Sequence, residues 1–235
     1  MYVCPIFIDI RMTRIKFNFI LMLLLCGIYT LSAQDTAVRL RLKAGDKASH
    51  GAFISTSIEG EHNFNQLFSI RGGAMYSSIG RTALDVRPAL FHDLNWGRIQ
   101  AEALLQYSRQ ASINNTAAGL GLGLDIRWVY AKAGYYYRSI SSNSDQITEP
   151  LNYFYEFGVR FLEKNERWDL DFILTNSELF ELERQYQMTA LLEGCWNASK
   201  NLGINFGVGY KPSGTFHMSS DYYQLFGTLG LCYRW

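Results

Sequence analysis

Cysteine, proline and histidine are scarce in this chain of 235 residues, at four each. An excess of one charge is also missing, since 22 Lys and Arg stand against 21 Asp and Glu. So few cysteines do not make a disulfide framework. A balanced charge lacks the basic footprint by which nucleic-acid binders gather phosphates, so no nucleic-acid partner is expected. Long apolar runs are nearly absent. The one run, residues 17–28, is shorter than the roughly 20 apolar residues of a spanning helix. What the chain does have is 20 Gly, 15% aromatics and 48% hydrophobic residues, too apolar a mixture for disorder.

The leading segment has its own logic. Arg14 and Lys16 precede the apolar run, and Leu31, Ser32 and Ala33 follow it before Gln34. A basic stretch, a short apolar stretch and a small residue before a cut make a secretory signal, so residues 1–33 are expected to be removed and 34–235 to form the mature domain. Met12 would serve as a start as well as Met1. Cys26 follows Leu25 rather than a small residue, which argues against lipidation at that cysteine. Removing the leader takes away Cys4 and Cys26 and leaves Cys195 and Cys232.

After Gln34 the period is two. In the last segment Tyr223, Leu225, Gly227, Leu229, Leu231, Tyr233 and Trp235 share one face, while Gln224, Thr228, Gly230, Cys232 and Arg234 share the other. Leu120, Leu122, Leu124 and Ile126 likewise oppose Gly119, Gly121, Gly123, Asp125 and Arg127. About twelve such segments follow one another, each of a length that a tilted membrane-spanning strand requires; ten is the alternative count if the first hairpin is irregular. A soluble sandwich also alternates, but with the apolar face inside. Here the second face carries Arg39, Arg41, Arg71, Asp85, Arg87, Glu102, Asp125, Arg127, Lys132, Glu156, Arg160, Asp169, Asp171 and Glu193, too many charges for a dry core. Turning the sheet inside out resolves the conflict, with apolar residues toward lipid and charges toward a lumen. The expectation is an all-β, transmembrane, antiparallel up-and-down barrel.

With both chain ends on the inner side, inner turns fall near residues 60–63, 93–96, 127–128, 163–167 and 197–200. Longer outer loops fall at 108–115, 140–150, 176–184 and 211–221. Trp96, Trp128, Trp168, Trp196 and Trp235 then gather at the inner edge, and tyrosines including Tyr153, Tyr155 and Tyr223 lie toward the outer one. Amphipathic rings prefer such interfaces. The pair Arg127-Trp128 is a poor turn by residue type, though Ile126 and Val129 would flank it on one face as a tight hairpin demands.

These features resemble the outer-membrane β-barrel class of Gram-negative bacteria, over the whole chain. The final aromatic Trp235, with hydrophobics at alternate positions before it, is similar to the signal read by the barrel-assembly machinery of that class. The resemblance implies an outer-membrane location, lipid as surroundings and a porin-like barrel, either passing small hydrophilic solutes or closed and acting on a partner through its outer loops. Loop 140–150 is the partner-contact candidate by length.

Chemistry-bearing motifs are few. Lumen charges, with Lys43, Arg138 and Arg234 counted in, would either brace the wall as cross-strand pairs or line a charge-selective path. Inward glycines at Gly119, Gly121, Gly123, Gly203, Gly207 and Gly209 would either open the lumen or make room for inward Phe91, Phe154, Tyr136 and Phe226. Gly119, Gly121 and Gly123 do not have dinucleotide-loop spacing, and His50, His62, His92 and His217 are scattered, so neither cofactor nor metal is expected. The alternative function rests on His217 and Ser219, spaced like the His-x-Ser of outer-membrane lipid hydrolases and deacylases, as base and nucleophile. Cys195 and Cys232 sit two strands apart, beyond disulfide reach.

Overall fold

The computed structural model describes residues 36–48, 51–165, 167–182, 187–212 and 222–235. The leader, His50, His217 and Ser219 lie outside the described residues, as do the side chains of Tyr222 and Tyr223. The strands in chain order are β1 (Thr36–Lys47), β2 (Gly51–Asn63), β3 (Phe68–Ser77), β4 (Arg81–Leu94), β5 (Gly97–Gln110), β6 (Ile113–Ile126) and β7 (Val129–Ser141). They continue as β8 (Gln146–Asn165), β9 (Trp168–Thr175), β10 (Ser177–Glu178), β11 (Glu181–Leu182), β12 (Thr189–Asn197), β13 (Leu202–Pro212) and β14 (Tyr222–Arg234). Twelve of them form one closed antiparallel barrel, in which each pairs with its chain neighbour, β9 pairs with β12, and β1 returns to β14. The short β10 and β11 pair only with each other.

Closure follows from the alternation. The ladder from Ala37 opposite Arg234 to Lys47 opposite Gln224 removes the last open edge, which matters because lipid offers no partner to an unpaired backbone amide. The apolar set then points outward along every strand. Leu120 is 71% exposed and Leu122 67%, and Leu40, Leu84, Leu90, Val208, Leu229 and Leu231 also face out. The twelve-stranded architecture is the one read from the sequence.

The turn expected at Arg127-Trp128 is present, while the loops expected at 108–115 and 140–150 are shorter than read. Ile126 pairs with Val129, so Arg127 and Trp128 do form a two-residue turn despite their residue types. At the opposite end, which we call the far end, Gln110 pairs with Ile113 and leaves only Ala111 and Ser112 as loop, with Ala111 in the left-handed region at φ 52°. Ser141 pairs with Gln146, which reduces the supposed long loop 140–150 to residues 142–145. Strands running past the membrane into water can be polar on both faces, so the alternation that marks a spanning segment fades before the strand stops. The end carrying Thr36 and Trp235 is called the terminal end below.

Substituting Leu120→Arg should cost about 2–4 kcal/mol, the price of a cation on the lipid face near mid-membrane. It would be read as a lower urea midpoint of the barrel refolded in lipid vesicles. A midpoint at the wild-type value would contradict the assignment of this face to lipid.

Candidate functional site: the lumen and its inward hairpin

The two halves of the lumen differ in kind. Toward the far end, inward Leu104, Ala117, Tyr136 and Phe154 form one buried apolar cluster with Leu182, and Phe53, Leu191 and Phe226 form a second. Glycines are the sockets for these rings. A Cβ on Gly209 would lie 2.1 Å from the Phe226 ring, and one on Gly121 or Gly134 would lie 2.5 Å from that of Phe154. The inward glycines at these positions therefore seat aromatics rather than widen the passage.

Elsewhere along the wall most inward charges are paired. Arg41 lies 3.7 Å from Glu59 and reaches 3.0 Å from Glu193 on β12, while Arg71 lies 3.4 Å from Glu59, which is only 2% exposed. Arg87 is 2.8 Å from Asp85, whose other oxygen accepts from Gln106. Lys132 sits between Glu102 and Glu156, at 3.3 and 3.8 Å. Arg160 grips Asp125 through both terminal nitrogens, at 2.7 and 2.8 Å, the bidentate geometry that makes such pairs strong. Arg39 bonds Glu61 at 3.1 Å. Asp171 stands in register with both Arg160 and Glu193, and Asp169 with Cys195. Arg127 departs from its expected place, because the tight turn carries it out of the lumen to stack over Trp128, 5.2 Å from the ring centroid.

The main correction concerns residues 176–184, expected as an outer loop. Ser177–Glu178 and Glu181–Leu182 instead form a hairpin folded into the far half of the barrel. Phe180 is 3% exposed and its ring lies where a Cβ on Gly73 would be, 2.9 Å away. Glu178 is held by Lys43 at 2.9 Å and Lys211 at 2.8 Å, and its carboxylate also accepts from the Thr189 hydroxyl. Glu181 is held by Lys43, Arg81 and Lys211 at 3.2, 2.9 and 2.8 Å. The hairpin carbonyls are capped as well: Arg87 donates to Glu178 O, Arg81 to Phe180 O and Arg138 to Leu182 O. Lys43 rests on the face of Phe226, 3.7 Å from its centroid, which fixes the ammonium under the hairpin.

Burial alone would raise both hairpin carboxyls. Lys211 and Lys43 outweigh it at Glu178, and the same two lysines with Arg81 hold Glu181 well below the ordinary carboxylate range. Sequence reading missed Arg81, Lys211, Glu178 and Glu181. The available signal was an outer rim with cations on three strands and no acidic partner beside them.

Beneath the hairpin lies a cavity of about 350 Å³ lined by Arg39, Arg41, Glu59, Asp169 and Glu193 among others. A second, of about 630 Å³, continues toward the terminal end. Both are walled by Arg71, Arg87, Glu102, Tyr130, Lys132, Glu156 and Asp171. Outside, Trp96, Trp128, Trp168 and Trp196 are exposed at the terminal end, where Trp168 and Trp196 lie 6.2 Å apart and Trp235 packs 5.6 Å from Tyr233. Tyr153 meets Tyr135 edge to face on the outer surface. Cys195 and Cys232 are both free thiols inside the wall. Among the described residues no group of three or more His, Cys, Asp or Glu could hold a metal.

This architecture is that of the outer-membrane β-barrels. Among solved structures, the chain is similar to a KdgM porin in complex with disordered oligogalacturonate, at TM-score 0.57 and 12% identity over 85% of this chain and 99% of that one. The NanC porin matches at TM-score 0.56 and 9% identity, covering 85% of this chain and 100% of that chain. The translocator domain of the autotransporter NalP from Neisseria meningitidis matches at TM-score 0.54 and 10% identity over 99% and 100%. No family model and no curated protein matches the chain. Porin-like barrels are thus its neighbours in fold.

Because docking holds the two carboxyls below their ordinary range, it is favoured by their ionised form. That contribution is complete above the ordinary carboxylate range and is lost as pH falls through the lower, docked values. Hydrogen-exchange protection of Ser177–Leu182 should therefore hold steady from neutrality to about pH 5 and fall only under stronger acid. Protection that rises on acidification would contradict the arrangement.

Proposed function

We propose that the mature chain is an outer-membrane barrel through which small hydrophilic solutes diffuse passively, with the hairpin as its constriction. One observation carries this reading: adjoining cavities of about 350 and 630 Å³, lined by ionised side chains, lie inside a wall whose outer face is apolar. A dry structural barrel would gain from apolar filling along its whole length, whereas this one keeps paired charges that only water or polar solutes can accompany. The fold of the KdgM and NanC porins supports the same reading. In this scheme the leader, residues 1–33, directs export and is removed, the Trp235 terminus is read by the assembly machinery, and lipid surrounds the wall. In this scheme Lys43, Arg81 and Lys211 at the constriction set the selectivity.

The test is single-channel recording of the refolded mature protein in a planar bilayer under a salt gradient, beside a variant in which residues 177–182 are replaced by a Gly/Ser segment. Conducting steps are expected, larger in the variant. Silence from both, with folding verified, would overturn the pore reading.

A further inference from the structure

Five wall cations from four strands converge on a six-residue segment that no barrel strand pairs with. Lys43 comes from β1, Arg81 and Arg87 from β4, Arg138 from β7 and Lys211 from β13. Three of them, Lys43, Arg81 and Lys211, meet the Glu178 and Glu181 carboxylates within 2.8–3.2 Å. The hairpin has little else of its own. Its ladder consists of Ser177 opposite Leu182 and Glu178 opposite Glu181, and Phe180 is held at φ 70°, a left-handed conformation unfavourable for an aromatic residue. Its place in the lumen therefore depends on two apolar side chains, on the ion cluster and on the arginines that cap its carbonyls.

A cluster of this kind does not distinguish a carboxylate on the chain from an oxyanion in solution. Among the described residues three cations face two carboxylates there, and Phe226 beneath Lys43 and Lys211 keeps both ammonium groups in place. Simple salt is a weak competitor, because buried pairs are screened far less than exposed ones. An anion carrying two or more charges can answer several of the cations at once, as the hairpin does.

We propose that the hairpin Ser177–Leu182 is an internal anionic ligand occupying an anion site built by Lys43, Arg81 and Lys211, and that a multivalent oxyanion displaces it, so that binding and opening are one event. The proposal rests on the pore reading above. An oxyanion that binds only when the hairpin has left shifts the population toward the undocked, open barrel. The chemistry recognised is a phosphate or carboxylate array with at least two charges, and the experiment separates these sources.

Open probability is recorded for the refolded protein at fixed ionic strength, with inorganic pyrophosphate, a tricarboxylate or acetate added to each side in turn. Pyrophosphate, the tricarboxylate or both should raise a low open probability about tenfold at a concentration about nine times the dissociation constant for the undocked state, while acetate has no effect. The E178Q/E181Q variant should be open without added anion and gain nothing from it. In parallel, hydrogen exchange of residues 177–182 in the wild type should lose protection on adding the effective anion, a readout that does not depend on the variant folding. If neither multivalent anion raises open probability or loosens the hairpin, the exchange is overturned. A Gly/Ser-replaced barrel that conducts in that case shows that only the exchange has failed, whereas a silent one shows that the pore reading has failed with it.

Discussion

The rest of the structure depends on one constraint, that no backbone amide or carbonyl in the hydrocarbon layer can be left without a partner. Twelve strands satisfy it by closing, and the β1–β14 ladder is where closure is achieved. Closure fixes the sign of every side chain. One parity meets lipid and must be apolar, and the other lines an enclosed lumen in which charges reach one another across strands. The bidentate Arg160–Asp125 pair and the Arg41 bridge between Glu59 and Glu193 are consequences of that enclosure rather than additions to it.

The same enclosure separates the two halves of the lumen. Where inward aromatics meet glycines on the next strand, as Phe226 meets Gly209, rings lie flat in the wall and the space closes over apolar surface. Where the inward residues are Arg, Lys, Asp and Glu, their length and hydration hold the space open, and the two charge-lined cavities are there. The hairpin spans the difference: Leu182 belongs to an apolar cluster and Phe180 is buried against Gly73, while Glu178 and Glu181 are answered by cations of the wall.

Much of this was legible in the sequence because period-two alternation is a direct image of closure. Leu120, Leu122 and Leu124 opposite Gly119, Gly121 and Gly123 read as a spanning strand, and Ile126 and Val129 located a turn that residue type alone disfavoured. Strand ends were less legible. Asn114, Asn115 and Thr116 are polar throughout, yet they pair with Ser139, Ile140 and Ser141, since beyond the membrane both faces of a strand can be wet. The hairpin escaped because Ser177 to Leu182 has the composition of an exposed loop, and its inward course depends on partners from β1, β4, β7 and β13 that no local pattern brings together. His217 and Ser219 were legible only as a spacing, and both lie outside the described residues.

The way the hairpin is held bears on what it is for. A segment that had only to block the lumen would be held best by apolar contacts, since a buried ion cluster loses much of its attraction to desolvation and well-packed hydrophobic residues often do as well or better. Apolar contacts, however, have no substitute in water. An ammonium released from a carboxylate can take another oxyanion with the same geometry, so a plug fastened by Lys43, Arg81 and Lys211 can be exchanged without leaving buried charge unanswered. Under the proposed exchange, Glu178 and Glu181 fasten the closure through groups that another oxyanion can replace, and the buried Phe180 and Leu182 add apolar contact to the docked state.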